Sequence, residues 1–419
     1  MTSSQLKTYN SYSECDLEWL DSLPEIWETR RLKDILSECV YGISDKTKED
    51  GKYEVLGMGE IEDGRVSFPG IRFVDFVQKE LLLARGDLLF NRTNSLALVG
   101  KVGLIESSVE NITFASYLIR LRVSKGNSSK FYWYLLNSEN FLSYSRSNAI
   151  QTANQANLSS SKLKQFKTVS IPLSTQKAIA HYLDTKTAQI DRQIDLLTQK
   201  AQRYEELKRA IVNETVTRGL DKSVPMKDSG IKWLGEIPEH WELDRLKNLA
   251  KINTGSKDTN NNIENGLYPF FVRSQTIERI NSYSFNGEAI LTAGDGVGVG
   301  KVFHYFEGKF DYHQRVYKIS HFRNLIGRFL FFYMKNHFYK EALRLNAKAT
   351  VDSLRMPMFE NFPVAFGSRE EQSEIVDYLD TKTAQIDQII QTINTQIEKL
   401  QELRKTLIND VVTGKIKVI

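Results

Sequence analysis

Ten consecutive residues, Tyr182-Leu-Asp-Thr-Lys-Thr-Ala-Gln-Ile-Asp191, recur unchanged at Tyr378 to Asp387, so the chain carries one module twice, 196 positions apart. Any fold assigned to it has to accommodate an internal duplication. At the same offset Gln176 meets Gln372, Ile179 meets Ile375, Glu206-Leu207 meets Glu402-Leu403 and Val216-Thr217 meets Val412-Thr413, so the repeated block runs well past the decapeptide. A second marker lies upstream of each copy: Trp19-Leu20, Pro24-Glu25, Trp27-Glu28 and Arg31-Leu32-Lys33 return as Trp233-Leu234, Pro238-Glu239, Trp241-Glu242 and Arg245-Leu246-Lys247. Its offset is 214 rather than 196, so the segments between the markers differ by 18 residues as well as in sequence. A constant frame holds variable cargo.

The class follows from composition. With 419 residues, 41% hydrophobic and 26% charged, this is a globular chain long enough for two or more domains with proper cores. Its longest apolar runs, such as Phe329 to Met334, fall far short of the roughly 20 residues that span a bilayer. Met1 to Leu20 is polar and lacks the apolar run of a signal peptide, which makes a cytoplasmic location the expectation. Two cysteines, Cys15 and Cys39, are too few for a disulfide framework or a zinc cluster. A net charge of +4 permits contact with a polyanion without demanding it.

The duplicated block predicts a long helix. Leu183, Thr187, Ile190, Ile194, Leu197, Ala201, Tyr204 and Ile211 follow alternating steps of four and three, interrupted by Lys208. The second copy gives Leu379, Thr383, Ile386, Ile390, Ile393, Ile397, Leu400 and Leu407 in the same register, with Arg404 standing where Lys208 does. Neither stretch contains proline or glycine, and Gly219 and Gly414 follow them where a helix stop belongs. At about 1.5 Å per residue a helix of some forty residues is a rod of roughly 60 Å, whose narrow stripe must be buried against something of similar length. The economical partner is the other copy, arranged antiparallel about a pseudo-two-fold axis. Taken alone, each stripe would also suit a core helix or a homodimeric coiled coil. The alternating charges Lys200, Arg203, Glu205, Glu206, Lys208 and Arg209 suit a solvated face or a partner-binding one.

The variable segments, about 30 to 165 and 243 to 361, are rich in aromatic and β-branched residues in short alternating runs, such as Ile112 to Val123 and Arg315 to Ile319. They predict compact α+β domains. Weak correspondences persist between them: Gly86-Asp-Leu-Leu-Phe90 with Gly287-Glu-Ala-Ile-Leu291, Gly100-Lys101 with Gly300-Lys301, and Phe131-Tyr-Trp-Tyr-Leu-Leu136 with Phe329-Leu-Phe-Phe-Tyr-Met334. One fold with different loops is the implication. Those loops carry candidate base-reading groups: Asn91, Arg92, Thr93, Asn94 and Ser95 in the first domain; Arg273, Ser274, Gln275 and His313-Gln314-Arg315 in the second. Arginine pairs with guanine and asparagine with adenine through two hydrogen bonds each. Lys101 and Lys301 suit phosphate contacts that position without specifying. Gly294-Asp-Gly-Val-Gly-Val-Gly-Lys301 is not a phosphate loop, because Asp295 stands where glycine is required and Val302 where a hydroxyl is. The expectation there is a tight turn that lets backbone approach a ligand. The six histidines show no metal-ligand spacing, and neither a nucleophile elbow nor an HExxH helix is present.

Gly86-Asp-Leu-Leu-Phe-Asn-Arg-Thr-Asn-Ser95 with Leu98-Val-Gly-Lys101, the Pro-x-x-Trp markers at Pro24 and Pro238, and the two Tyr-Leu-Asp-x-Lys-x-x-x-Ile-Asp blocks together resemble the specificity (S) subunits of type I restriction-modification enzymes, over essentially the whole chain. The resemblance implies an α+β protein of two pseudo-symmetric target-recognition domains separated by an antiparallel coiled coil. Domain 1 with the N-terminal segment would cover 1–168, the first spacer helix 169–219, domain 2 220–362, and the second helix with the C-terminus 363–419. It implies that each domain reads half of a bipartite asymmetric site in double-stranded DNA, that two methylation subunits bring S-adenosylmethionine to modify adenines, and that restriction subunits use ATP and Mg to translocate and cut. The chain itself would hold no cofactor and catalyse nothing. The family's proline-containing lead into the helix resembles Ile171-Pro172-Leu173 and looks degraded near Phe362-Pro363-Val364. Helix length would set the spacing between half-sites, commonly near one DNA turn of about 34 to 36 Å. A free-standing methyltransferase or nuclease, and a protein-binding scaffold that ignores DNA, are the rival readings. The former lacks an Asn-Pro-Pro-Tyr-like tetrapeptide, and neither accounts for duplicated domains with divergent loops.

Overall fold

The computed structural model describes residues 7–152, 155–296, 299–344 and 353–418. The chain forms two compact units, one of residues 1–197 with 395–419 and the other of residues 198–394. Each contains one variable domain and a stretch of each of two long helices, Leu173–Arg218 and Arg369–Val412, of 46 and 44 residues. The changeover between units falls inside the helices.

In the first unit, strands Val102–Leu104, Leu88–Asn91, Leu118–Val123 and Leu36–Tyr41 form an antiparallel sheet in that order. A smaller sheet pairs Ile112–Phe114 parallel to Tyr53–Leu56, with Phe73–Val74 antiparallel at its edge. The residues 88–90 and 118–121 are apolar or, at Arg120, ion-paired, and all are buried, so this strand pair has no solvent face. Helices Ser129–Leu136 and Glu139–Ser147 cover it with Phe131, Leu135 and Phe141.

The second unit repeats the plan in one six-stranded sheet, ordered Lys251–Thr254, Val316–Ser320, Phe285–Ala293, Phe303–Tyr312, Tyr268–Phe271 and Glu278–Ile280. The long strand Phe303–Tyr312 does the work of two strands in the first domain: one part pairs antiparallel with Phe285–Ala293 and its end pairs parallel with Tyr268–Phe271. Helix Gly327–Arg344 supplies the aromatic cover through Phe329, Phe332, Tyr333 and Phe338.

Entry into each helix is built alike. Lys167–Ser170 pairs with Glu28–Arg31, setting Lys167 against Arg31; Pro363–Phe366 pairs with Glu242–Arg245, setting Pro363 against Arg245. Pro363 is therefore the counterpart of Lys167, and Pro172 corresponds to Ser368. The second lead is not degraded but rewritten: Pro172 O accepts from Gln176 N and Ser368 O from Gln372 N, both at 3.0 Å, while Ser368 Oγ also accepts from Glu371 N at 3.2 Å. A serine cap replaces a proline start.

The recurring residues dock the helices. Gln176 Oε1 accepts from Ser128 N at the head of helix Ser129–Leu136 (2.7 Å), and Gln372 Oε1 accepts from Ile326 N at the head of helix Gly327–Arg344 (2.8 Å). Asp184 receives Tyr134 Oη (2.7 Å) and lies 3.3 Å from Lys130 Nζ; Asp380 receives Arg328 Nε and Nη2 at 3.0 and 2.7 Å. Thr187 and Thr383 sit in the apolar stripe because each hydroxyl donates to its own helix, to Leu183 O at 2.8 Å and Leu379 O at 2.7 Å.

Within each unit the two helices run antiparallel. In the first, Ile179 and Leu183 share a core with Leu407, Ile408, Val411 and Val412, and further along Asp191 pairs with Arg404 at 2.8 Å. In the second, Val216, Ile211 and Val212 meet Ile375 and Leu379, and Lys208 pairs with Asp387 at 2.5 Å. The two cations that interrupt the stripe are thus matched to the carboxylates that end the decapeptides. Leu183, Ile190, Leu379, Ile386 and Ile393 are buried; Ile194, Leu197, Ile390, Ile397 and Leu400 are half-buried, as a seam between only two helices leaves them. Gly219 and Gly414 end the helices at φ of 72° and 77°. A Cβ on Gly414 would lie 2.6 Å from Pro24 and 3.1 Å from Trp27, and one on Gly219 3.5 Å from Trp241, so each Pro-x-x-Trp marker closes over a helix stop.

Candidate nucleic-acid interface

In each domain the candidate residues lie where strands of the sheet end in loops. The Asn91–Ser95 segment leaves strand Leu88–Asn91, and the return through Lys101 ties it back: Asn91 N donates to Lys101 O and Gly100 N to Asn91 O, both at 2.9 Å. That ladder turns Asn91 and Thr93 inward, to 1% and 5% exposure. Their side chains are closed to a base edge. Arg92 is half-buried and held by the protein: Nη2 donates to Asn157 Oδ1 (2.8 Å), Nη1 to Ser116 O (3.3 Å), and its guanidinium lies 4.7 Å from the Tyr41 ring centre. Asn94 Oδ1 accepts from Ser95 N at 2.8 Å, shaping the turn, and Ser95 is exposed beside Leu96 and Leu98. Lys101 Nζ lies 3.8 Å from Asp63.

In the second domain three loops converge. Arg273 follows Tyr268–Phe271, Asp295 follows Phe285–Ala293, and His313-Gln314-Arg315 joins Phe303–Tyr312 to Val316–Ser320. Arg273 Nη1 and Arg315 Nη1 donate to the two oxygens of Asp295 at 3.0 and 2.7 Å. Partial burial pushes the Asp295 carboxyl up, but the hydrogen bonds from Arg273 and Arg315 outweigh it and hold the group below the usual range. Gln275 Nε2 donates to Lys301 O (3.4 Å), Ser274 O meets His304 Nε2 (3.0 Å), and Gln314 Nε2 donates to Asp258 Oδ2 (2.8 Å). Arg273, Ser274, Gln275, Lys301, Gln314 and Arg315 are all exposed. His313 is buried, its Nδ1 accepting from Arg315 N at 3.0 Å; burial, with Arg273 nearby, holds its pKa below the usual value.

The two domains therefore present different chemistry from matching strand ends. Arg92 corresponds in place to the loop of Asp295, and Ser116-Tyr117, with Tyr117 half exposed, to the loop of Arg315. Sequence reasoning missed Asp295, Tyr41 and Asn157. For Asp295 the signal was present as the one acidic residue of the glycine-rich loop, set aside there because it breaks a nucleotide motif. That loop leads into strand Phe303–Tyr312, not into the helix that a phosphate loop needs; Val297 and Gly298 within it lie outside the described residues.

Among the described residues no cluster of His, Cys, Asp and Glu could hold a metal ion, and no helix is long and apolar enough to cross a membrane. Cys15 and Cys39 are separate thiols, and burial pushes that of Cys39 up to about 11.

The family model for the type I restriction modification DNA specificity domain matches residues 24–206 and 238–399, once over each half. The putative type I restriction enzyme MjaX specificity subunit of Methanocaldococcus jannaschii is 26% identical over 424 aligned residues, covering 95% of this chain and 96% of that protein. The type I restriction enzyme EcoDI specificity subunit of Escherichia coli is 28% identical over 182 residues, 43% of this chain and 40% of its own. A chain solved in work on complex assembly and conformational transition of the type I R-M system shares the fold at a TM-score of 0.73 and 14% identity, covering 94% of this chain and 99% of itself. The HsdS subunit from Thermoanaerobacter tengcongensis does so at 0.54 and 15%, covering 94% and 98%.

Proposed function

Since the chain belongs to the type I restriction-modification DNA specificity family, we propose that each of its two domains reads one half of a bipartite, asymmetric double-stranded DNA site through the loops at the strand ends, with the long helices setting the spacer. It is the DNA sequence-specificity subunit of such a complex and no enzyme by itself; methyl transfer and cleavage lie on partner subunits. The reading extends to those partners: two methylation subunits carrying S-adenosylmethionine, and restriction subunits carrying ATP and Mg, acting on DNA in the cytoplasm.

One observation carries it. The same sheet occurs twice, held by the same docking residues, while matching strand ends carry Arg92 and Tyr117 in one domain and Arg273, Asp295 and Arg315 in the other. Selection for stability would not require the frame to stay and these loops to diverge; two different half-sites would. Arg92, Asn94 and Ser95 on one side and Arg273, Gln275, Gln314 and Arg315 on the other are the readers, and Lys101 and Lys301 the phosphate contacts. Two methylation subunits suit the duplicated helices, on which Leu207 and Leu403 occupy equivalent positions and stay about half exposed.

The test exchanges residues 243–361 for the matching segment of a relative and sequences the methylome of cells expressing the full complex. One half of the methylated site changes and the other stays. A chimera that altered both halves, or neither, would remove the modular reading.

A further inference from the structure

The second domain's loops are more tightly built than a surface that merely attracts DNA needs to be. Asp295 is 22% exposed and takes one arginine on each oxygen, while Arg273 and Arg315 remain 40% and 59% exposed. Each arginine uses a single Nη1–H for the carboxylate. Among the described residues no acceptor takes the remaining guanidinium donors, so each keeps an Nε–H and Nη2–H edge, the two-pronged face that fits a planar pair of acceptors.

The support beneath is rigid. Gly294 N donates to Arg315 O at 2.8 Å, and Leu354 N donates to Gly294 O at 2.7 Å. A Cβ on Gly294 would lie 2.8 Å from the Tyr317 ring and 2.9 Å from Arg315 O, so glycine alone lets the two loops meet this closely. His313 N donates to Phe271 O at 2.9 Å, joining the Arg315 loop to the strand that delivers Arg273. Both guanidinium groups are therefore oriented before any ligand arrives, which removes ordering costs that flexible arginines would incur on binding.

Guanine presents N7 and O6 side by side in the major groove, the acceptor pair that an arginine edge matches. A phosphate gains little from a buttressing carboxylate, which repels it. We propose that Asp295 is a positioning residue that holds Arg273 and Arg315 as a paired guanine reader, so that the half-site recognised by the second domain contains guanine, on one strand or the other, at two positions. This rests on the reading that the second domain recognises one half-site.

The experiment uses the methylation complex with its partner subunits, and methylome sequencing of wild type, R273Q, R315Q, R273K, R315K and D295N. Exchange of residues 243–361 first assigns the half-site; failure of that exchange to change a single half sinks the reading beneath, not this assignment. With the half-site assigned, it contains two G·C pairs. R273Q and R315Q each relax one of them by roughly 5- to 150-fold, the lysine variants relax the same position because they keep charge without the fork, and D295N relaxes both. The other half-site is unaffected throughout. A half-site with fewer than two G·C pairs overturns the proposal. So do arginine variants that weaken all sites equally and reduce the salt slope by about one, the mark of a phosphate contact.

Discussion

Replacing Gln372 by alanine tests whether the repeated glutamines are docking devices. Gln372 is fully buried. Its Oε1 accepts from Ile326 N at 2.8 Å, and its Nε2 donates to Asn324 O at 2.9 Å and Gly367 O at 3.0 Å. Truncation strands Ile326 N and Asn324 O where helix Gly327–Arg344 begins, and Gly367 O in the lead into helix Arg369–Val412. An unsatisfied buried polar group costs about 1–3 kcal/mol; carbonyls tolerate a lost partner better than N–H groups, and Asn324 is exposed while Ile326 and Gly367 are half-buried, so water takes up part of the loss and the sum comes to about 2–3 kcal/mol. For a unit of this size each kcal/mol lowers Tm by about 2–4 °C, which places the expected drop at roughly 4–12 °C. The assay follows thermal unfolding by tryptophan fluorescence, with amide exchange at Ile326 as the readout local to the second unit. Gln372→Leu, which restores volume but not hydrogen bonds, recovers little. A loss below about 1 kcal/mol for Gln372→Ala, with Ile326 still protected, would show that the helix is held by its apolar stripe and that the recurrence of glutamine has another cause.

His337 is 1% exposed, stacked on Trp233, and burial pushes its pKa down to about 3. A folded-state pKa below the unfolded value means the unfolded chain binds the extra proton, so stability is full above about pH 6.5 and falls by up to about 1.4 kcal/mol per pH unit below it. His337→Phe, measured by urea unfolding at pH 7 and pH 5, narrows the gap between the two; an unchanged gap refutes this assignment. Inserting about four residues, one helical turn of roughly 6 Å, into both long helices is tolerated as a stutter and lengthens the preferred spacer by one or two base pairs in a methylation-site survey. Unchanged spacing removes the ruler.

The frame was legible in the sequence because its residues act at fixed offsets. Helix extent, stripe, stops at Gly219 and Gly414 and the doubling of the domain all follow from local periodicity and repetition. The site was legible only as a set of loops. Asn91 reads like Asn94 in the sequence, yet one closes a ladder with Gly100 and Lys101 while the other shapes an exposed turn. Asp295 meets Arg273 and Arg315 only because three strands end at the same edge of the sheet, a fact of topology with no trace in spacing. The proline lead misled for the opposite reason: Pro363 is a residue that looks right in the wrong place, and pairing with Arg245 is what assigns it to the strand.

A frame that tolerates exchanged domains must still make contacts with whatever domain it carries, and those contacts set the limits of exchange. Asp380 belongs to the frame, but among the described residues both hydrogen bonds to its carboxylate come from Arg328, inside the exchanged segment. The first unit solves the same problem with Tyr134 and Lys130 on Asp184. The aspartate is thus constant and its donor is not. A chimera whose imported domain lacks a donor at the position of Arg328 leaves Asp380 unpartnered; since the pair is 32% and 42% exposed, water recovers much of the loss, and the net cost is about 1 kcal/mol. Restoring arginine at that one position should recover the missing stability in a denaturant titration without altering the methylated sequence. If it shifts the sequence as well, Arg328 is part of the reading surface, and the line drawn here between frame and reader is in the wrong place.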